Sequence, residues 1–199
     1  MLKSVNVIDI LLITAVVILG LLLIWNILQK DLRKKKTQSN FVKDFDFNLD
    51  SVLANNNDLQ ILFAIDDHVN RLSNYGNDLT ALTQEQANFL FVENLEREIN
   101  NGGFRQFYWN SSGDYANETV KALLEIGALK TSFLVNKANQ EFAKGEVPKE
   151  REERFKMLEA IEEKAESTWN ELDKIFYKYE DPIGSLLIEY VRKNKNRFK

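Results

Sequence analysis

The sequence predicts an all-α protein, with a single N-terminal transmembrane helix followed by one compact domain of about seven helices. Three observations support this fold class. After residue 58, apolar residues recur three and four positions apart, the spacing of a helix face that packs on a core. No run of alternating apolar and polar residues is long enough to indicate a strand. Only two prolines, Pro148 and Pro182, interrupt the chain, so few positions force a helix to break.

Residues 10–29 form an uncharged apolar stretch of twenty residues. As a helix, the stretch would span about 30 Å, the thickness of a bilayer's hydrocarbon core. It is longer than the apolar part of a signal peptide, and no small-residue cleavage site follows it. A buried core helix is the other alternative, but a helix this apolar would need a larger domain around it. We therefore expect residues 10–29 to lie in the lipid bilayer.

The basic residues flanking this stretch predict its orientation. Lys3 precedes it, whereas five basic residues follow: Lys30, Arg33, Lys34, Lys35 and Lys36. Because basic residues are retained on the cytoplasmic side, the N-terminus should be outside and the C-terminal domain inside, at the cell (inner) membrane.

Four segments are expected along the chain: a transmembrane anchor with its basic flank (1–36), an acidic linker (37–57), an all-helical domain (58–191) and a basic tail (192–199). Aromatic residues in the linker could dock on the domain or at the lipid interface. The cations of the tail are favoured near a helix C-terminus by the helix dipole. Contact with an anionic leaflet or with nucleic acid remains open for the tail.

Several local signals predict where the domain's helices begin and end. Asp58 can cap the first helix, and Thr83 with Gln86 forms a capping box for the second. The second helix should end at the glycine pair 102–103, because glycine accepts the left-handed conformation that closes a helix. Further boundaries are expected at Gly113-Asp114, Gly127, Thr131 or Ser132, Gly145, Pro148 and Asp181-Pro182.

Composition argues against several functional classes. The chain has no cysteine and one histidine, His68, which excludes a disulfide framework, a thiolate metal site and a multi-histidine metal site. It contains no phosphate-binding loop, nucleophile elbow or zincin motif. We therefore expect a protein that is not an enzyme and needs no cofactor or metal.

The net charge of −4 hides a strongly acidic body. Residues 37–190 hold 15 basic and 28 acidic residues, a net charge of −13. Such a body repels nucleic acid and attracts basic proteins. The charge distribution therefore predicts a basic protein partner and no direct binding of nucleic acid by the body.

Glu98 falls on the same helical face as apolar residues such as Leu95, so its carboxylate should point toward the core and needs a partner there. Hydrogen bonds from backbone N–H groups of the glycine turn or of the next helix start are the favoured interpretation. A buried general acid or base is the alternative.

A run of four aromatic residues follows the glycine pair: Phe104, Phe107, Tyr108 and Trp109. The run suits either a platform for base stacking or a short helix in the core. The acidic surroundings favour the core, because they would repel phosphates.

The stretch 96–114, continued by 123–128 and 138–142, resembles the C-terminal domain of a bacterial DNA-mimic protein family. The resemblance rests on a glutamate-rich helix, Asn-Gly-Gly-Phe, Gln followed by two aromatics, Asn with Gly shortly after it, and Ile-Gly-Ala. It implies an acidic helical decoy that occupies the DNA-binding face of a transcription factor. A membrane anchor is a departure from that family's pattern.

Six carboxylates are candidates for a phosphate-like face that binds a partner. Asp58, Asp66 and Asp67 lie on one predicted helix, and Glu85, Glu93 and Glu96 lie on the next. Duplex DNA presents a charge about every 1.7 Å, and carboxylates on parallel helices could approach this density. An ordinary solvated surface is the simpler explanation of these acids. The alternative function is a structural or scaffold subunit of a membrane complex, without mimicry. The sequence leaves the oligomeric state open.

Overall fold

The computed structural model describes residues 47–199, so the predicted anchor and the first part of the predicted linker lie outside the described residues. This part of the chain folds into seven α-helices and three short 3₁₀ turns, with no strand between residues 47 and 199. The prediction of an all-α domain is therefore confirmed. Over the same residues, none of the helices combines the length and the apolar character that crossing a membrane requires.

The α-helices are, in chain order, α1 (Leu49–Leu53), α2 (Asp58–Leu72), α3 (Gln84–Trp109), α4 (Ala116–Ile126), α5 (Leu129–Asn139), α6 (Arg151–Phe176) and α7 (Ile183–Lys193). The 3₁₀ turns are Ser111–Tyr115, Ala143–Gly145 and Lys195–Arg197. Helix α3 is central, because it packs against α2, α4 and α6. Residues 88–92 of α3 are buried one after another, so this helix is surrounded by the core.

Helix α3 begins as the sequence predicts. Thr83 Oγ1 accepts a hydrogen bond from the Gln86 backbone N–H, and Gln86 Oε1 accepts one from the Thr83 N–H, at 3.2 and 2.9 Å. At Gly102 and Gly103 the backbone leaves helical geometry, and Gly103 has a φ of +73°. The helix resumes at Phe104, whose N–H donates to Asp173 Oδ1 at 2.9 Å. The glycine pair therefore produces a kink, whereas the sequence predicted the end of the helix.

The aromatic residues after the kink form the centre of the core. Phe104, Phe107 and Tyr108 have no exposed surface. The Tyr108 ring lies 5.2 Å from the Trp169 ring, and its hydroxyl donates to Asn139 Oδ1 at 2.7 Å. These contacts confirm that the run builds the core, so these buried rings cannot stack on bases.

Arg154 on α6 is fully buried, and its guanidinium joins three segments of the chain. It donates hydrogen bonds to the carbonyl oxygens of Tyr108, Pro148, Lys149 and Asn110, and it forms an ion pair with Asp114. A buried charge is tolerated only when it is paired and hydrogen-bonded, so these segments must keep their positions. Gly113 completes the arrangement, because a Cβ there would lie 2.9 Å from Arg154 Nε.

Three residues that were predicted to mark helix starts have a different position or capping role in the structure. The side-chain cap of α2 is Asn57, which accepts from the Gln60 N–H, and Asp58 is the first helical residue. Helix α6 begins at Arg151, so Pro148 lies before its first turn. Asp181 caps α5 from a distant part of the chain, since its Oδ2 accepts the Thr131 N–H at 2.7 Å.

Both ends of the predicted domain extend further than the sequence indicated. The compact unit begins at Phe47, whose ring stacks on His68 with centroids 3.7 Å apart, so residues 47–57 belong to the fold rather than to a linker. In the predicted tail, Phe198 is fully buried near the Phe89 ring. Lys195 forms an ion pair with Asp50 at 2.9 Å, and this pair joins the two ends.

Replacing Arg154 by Met should cost about 3–5 kcal/mol of the free energy of unfolding, because Asp114 and four carbonyl groups would lose their donor in a buried site. Urea unfolding of the full-length chain, followed by circular dichroism, measures the change. Lys156→Met, at an exposed position of α6, is the matched control and should stay within about 0.5 kcal/mol. A similar, small effect of both substitutions would contradict the role assigned to Arg154.

Candidate protein-interaction site

The motif residues around the kink converge on one carboxylate. Glu98 Oε2 accepts hydrogen bonds from Gln106 Nε2 and Asn110 Nδ2, both at 2.7 Å. These amides follow the kink, so Glu98 connects the two halves of α3. The structural interpretation of Glu98 is thereby favoured, although the donors are side-chain amides rather than the backbone N–H groups that were expected.

Three of the six predicted partner-binding acids come together between α2 and α3. Asp66 accepts from Asn70 Nδ2 at 2.8 Å and pairs with Arg97 Nη2 at 3.0 Å. Burial is the main cause that raises the pKa of Asp66 and of Glu96. Burial, followed by the charges of Asp66 and Glu96, raises the pKa of Glu93 to about 8. Glu93 is therefore mainly protonated at neutral pH and is a poor substitute for a phosphate.

The other three predicted acids lie apart from this group. Asp58 is exposed at the start of α2, and Asp67 pairs with Arg71 at 2.8 Å one turn along the same helix. Glu85 lies at the start of α3, about three turns before Glu96, with its carboxylate 3.7 Å from Arg197 Nε. The six carboxylates therefore do not share one DNA-like face.

Helix α2 carries an exposed face that the sequence analysis did not identify. Leu59 and Phe63, one turn apart, are 63% and 70% exposed. On the same helix, Asp58 directly precedes Leu59 at the helix start, and the half-buried Asp67 lies one turn after Phe63; we call these four residues the α2 face. The available signal was the four-residue spacing of Leu59 and Phe63 on the side opposite the buried stripe of α2.

A second exposed apolar region lies between α5 and α6. Leu129 and Phe133 are 62% and 65% exposed, and with Ile175 they line a groove of about 460 Å³. An ion pair between Lys130 and Glu180, at 2.9 Å, lies at its edge. We call this region the α5–α6 groove.

A polar cleft of about 300 Å³ lies between α3, the loop that follows α2 and the turn Ser111–Tyr115. Its charged and aromatic lining consists of Tyr75, Phe91, Arg97, Glu98, Asp114 and Tyr115. The sequence analysis singled out Glu98 but had no signal that the loop with Tyr75 would join it. Among residues 47–199, no group of three histidine or acidic side chains could hold a metal ion.

The kinked motif helix and the helices packed around it define a compact all-α domain. A family model described as DMP19-like protein matches residues 80–194, which is more than half of the chain. The chain belongs to this DMP19-like family. Searches among curated proteins and among solved structures each gave no match. Helix α2 lies before the matched residues, so the α2 face is outside the part that defines the family.

Replacing Glu93 by Gln should change how stability depends on pH. The pKa of Glu93 is raised from 4.5 to about 8, so between these values the folded state holds a proton that the unfolded state has lost. Wild-type stability therefore falls as pH rises through this window. The glutamine has no such proton, so E93Q should be more stable than wild type by about 1–3 kcal/mol above pH 8 and similar to it near pH 4.5.

Urea unfolding of both proteins across this pH range measures the difference. Because Asp66 and Glu96 titrate in both proteins, the difference isolates Glu93. Glu159→Gln, at an exposed position of α6, is the control. Its difference in unfolding free energy from the wild type should stay constant across this pH range. If the difference in unfolding free energy between E93Q and the wild type were also independent of pH, the raised pKa of Glu93 would be disproved.

Proposed function

We propose that the protein is a membrane-anchored interaction module that binds a basic, DNA-binding protein through the α2 face. The observation that carries this proposal is the exposed pair Leu59 and Phe63, with Asp58 and Asp67 on the same helix, in a chain whose following residues match the DMP19-like family. Two large apolar side chains this exposed, next to charged residues, are typical of a protein-binding surface.

The two kinds of side chain have different roles in this interaction. Leu59 and Phe63 supply apolar area that the partner removes from water, which stabilises the complex. Asp58, Asp67 and the net charge of −13 over residues 37–190 attract a basic partner and repel nucleic acid. The acids would thus determine which partner binds, and burial of the apolar pair would stabilise the complex.

The proposal differs from a dense imitation of phosphates. Asp66, Glu93 and Glu96 are half-buried, and burial raises the pKa of each; the pKa of Glu93, raised to about 8, reduces its charge near neutral pH. Asp58 and Asp67 therefore supply the acidic part of the interaction, with fewer charges per length than DNA has. Burial of Leu59 and Phe63 against the partner would supply the affinity that the smaller number of charges does not provide.

The membrane anchor is part of the proposal and is supported by the sequence alone. The uncharged stretch 10–29 would lie in the bilayer, with the basic residues after it and the domain on the cytoplasmic side of the inner membrane. The protein would then hold a DNA-binding regulator at the membrane, away from its DNA. The proposal assigns the protein no catalytic role and no cofactor.

A pull-down with the detergent-solubilised full-length chain tests the α2 face. The wild type should retain a basic DNA-binding protein, and binding should weaken as NaCl is raised, because salt screens exposed charges. The double substitution Asp58→Asn with Asp67→Asn should weaken binding about tenfold or more, because it removes two carboxylate charges that attract the basic partner. Leu59→Ala with Phe63→Ala should weaken it at every salt concentration.

The matched control is Glu159→Gln with Glu163→Gln, which removes the same charge from exposed positions of α6. The control should bind as the wild type does. Binding that ignores salt and survives both α2 double substitutions would refute the proposal.

The α5–α6 groove supports a second candidate function, a scaffold subunit of a membrane complex. In that case an apolar partner would cover Leu129 and Phe133. Leu129→Ser with Phe133→Ser should then release the protein from its complex, while the α2 substitutions leave the complex intact. Native gel analysis of detergent-solubilised membranes distinguishes the two functions.

A further inference from the structure

We infer that the polar cleft receives a single arginine side chain of the protein partner. The inference rests on the proposed function in one respect, that the partner is a basic protein. It uses different residues, because the cleft lies between α3, the loop 73–79 and the turn Ser111–Tyr115.

The charges in the cleft leave one carboxylate without a cation. Arg97 is occupied by Asp66 and by Asn94 Oδ1, at 3.0 and 2.7 Å, and Asp114 is paired with the buried Arg154. Glu98 has no basic partner among the described residues. Its Oε2 accepts two amide hydrogen bonds, whereas its Oε1 accepts none. The cleft is therefore suited to a cationic ligand.

Two aromatic rings in the cleft favour an organic cation over a metal ion. The Tyr115 ring stacks on Phe91 with centroids 4.7 Å apart, and Lys149 Nζ already lies 5.9 Å from its centroid. Tyr75 is at the rim of the cleft and is 64% exposed. Because Phe91 and Lys149 already cover the Tyr115 ring, the exposed Tyr75 ring is the one on which a guanidinium group can stack while it donates to a carboxylate. A divalent metal would instead need several oxygen ligands.

The backbone holds Tyr75 at the rim in an unfavourable conformation. Tyr75 has a φ of +56° and follows Asn74, which has a φ of +50°. The loop is fixed by a hydrogen bond from the Tyr75 N–H to the Asn70 oxygen, at 2.6 Å, and by one from the Gly76 N–H to Ser73 Oγ, at 3.0 Å. Burial does not offset this strain, because the ring is mostly exposed. Strain of this kind is concentrated at binding sites.

The volume of the cleft limits the ligand to a single side chain. At about 300 Å³ it is at the lower end of the range for small-molecule sites. A helix would not fit, and the carboxylates of Glu98 and Asp114 disfavour the phosphate of a nucleotide, whereas the methylene groups and guanidinium of one arginine would fit.

Three acetylated and amidated tripeptides, Gly-X-Gly, test this inference with the isotopically labelled full-length chain in detergent. X is arginine, lysine or citrulline, and citrulline is the uncharged isostere of arginine. The arginine peptide should shift the amide signals of Tyr75, Asn94 and Tyr115 in a saturable manner. The lysine peptide should bind more weakly, and the citrulline peptide should give no shift.

Two substitutions test the residues assigned to the cleft. Glu98→Gln retains an oxygen that can accept from Gln106 and Asn110 but removes the charge, so affinity for the arginine peptide should fall about tenfold. Tyr75→Gly removes the ring and suits the left-handed backbone, so affinity should fall while the unfolding midpoint stays equal or rises. If E98Q does not fold, the affinity of Y75G for the arginine peptide alone tests the inference. Glu159→Gln is the control and should bind like the wild type.

Equal binding of the citrulline or the lysine peptide, or the absence of shifts at the cleft, would overturn the inference. Wild-type affinity in both E98Q and Y75G would do the same. These outcomes leave the α2 face untouched, because the peptides probe the cleft without the partner. Loss of the partner in the α2 double substitutions, conversely, would leave the peptide result unchanged.

Discussion

The buried guanidinium of Arg154 is the constraint on which the rest of the domain depends. It binds the end of α3 through Tyr108 and Asn110, and the following turn through Asp114. Because a buried cation cannot remain unpaired, the chain between these residues has one conformation. That conformation brings Asn110 to Glu98 across the kink. The sequence motif of residues 96–114 thus describes how the central helix folds, and some of its residues also line the polar cleft.

The acidic residues separate into two physical classes. Asp66, Glu93 and Glu96 are half-buried between helices, where the loss of solvation raises their pKa values. Asp58 is exposed at the start of α2, and the half-buried Asp67 pairs with Arg71 on the same helix, which also carries the exposed Leu59 and Phe63. Of these five acids, Asp58 alone is exposed and takes no part in an ion pair among the described residues. An acidic sequence can therefore resemble DNA in net charge while its recognition surface is mixed, with apolar residues that DNA does not have.

Much of the fold could be predicted because its signals are local. The Thr83–Gln86 capping box lies within one turn, and Gly127 ends α4 with a φ of +88°. The core position of Phe104 and Tyr108 followed from their spacing and from the acidic surroundings. Each of these signals acts within a few residues along the chain, where sequence patterns are informative.

The remaining features depend on contacts between distant residues. Asp181 resembles a cap for its own helix but accepts the Thr131 N–H, fifty positions earlier. Arg154 lies in a charged helix whose pattern is that of a solvated surface, so no local signal shows that it is buried. The cleft joins Tyr75 to Glu98 and Asp114, which only the fold brings together. Candidate acids could be named from the sequence, but their burial, and hence their charge, could not.

Hydrogen–deuterium exchange of the full-length chain, with and without its captured partner, tests most directly where the partner binds. The account predicts slower exchange in α2 and in the loop 73–79 when the partner is bound. Exchange at Gly113, which is buried within the turn Ser111–Tyr115, should be slow in both states. If the partner slowed exchange only at the α5–α6 groove or at the acidic surface of α6, and exchange in α2 did not change, binding at the α2 face would be contradicted.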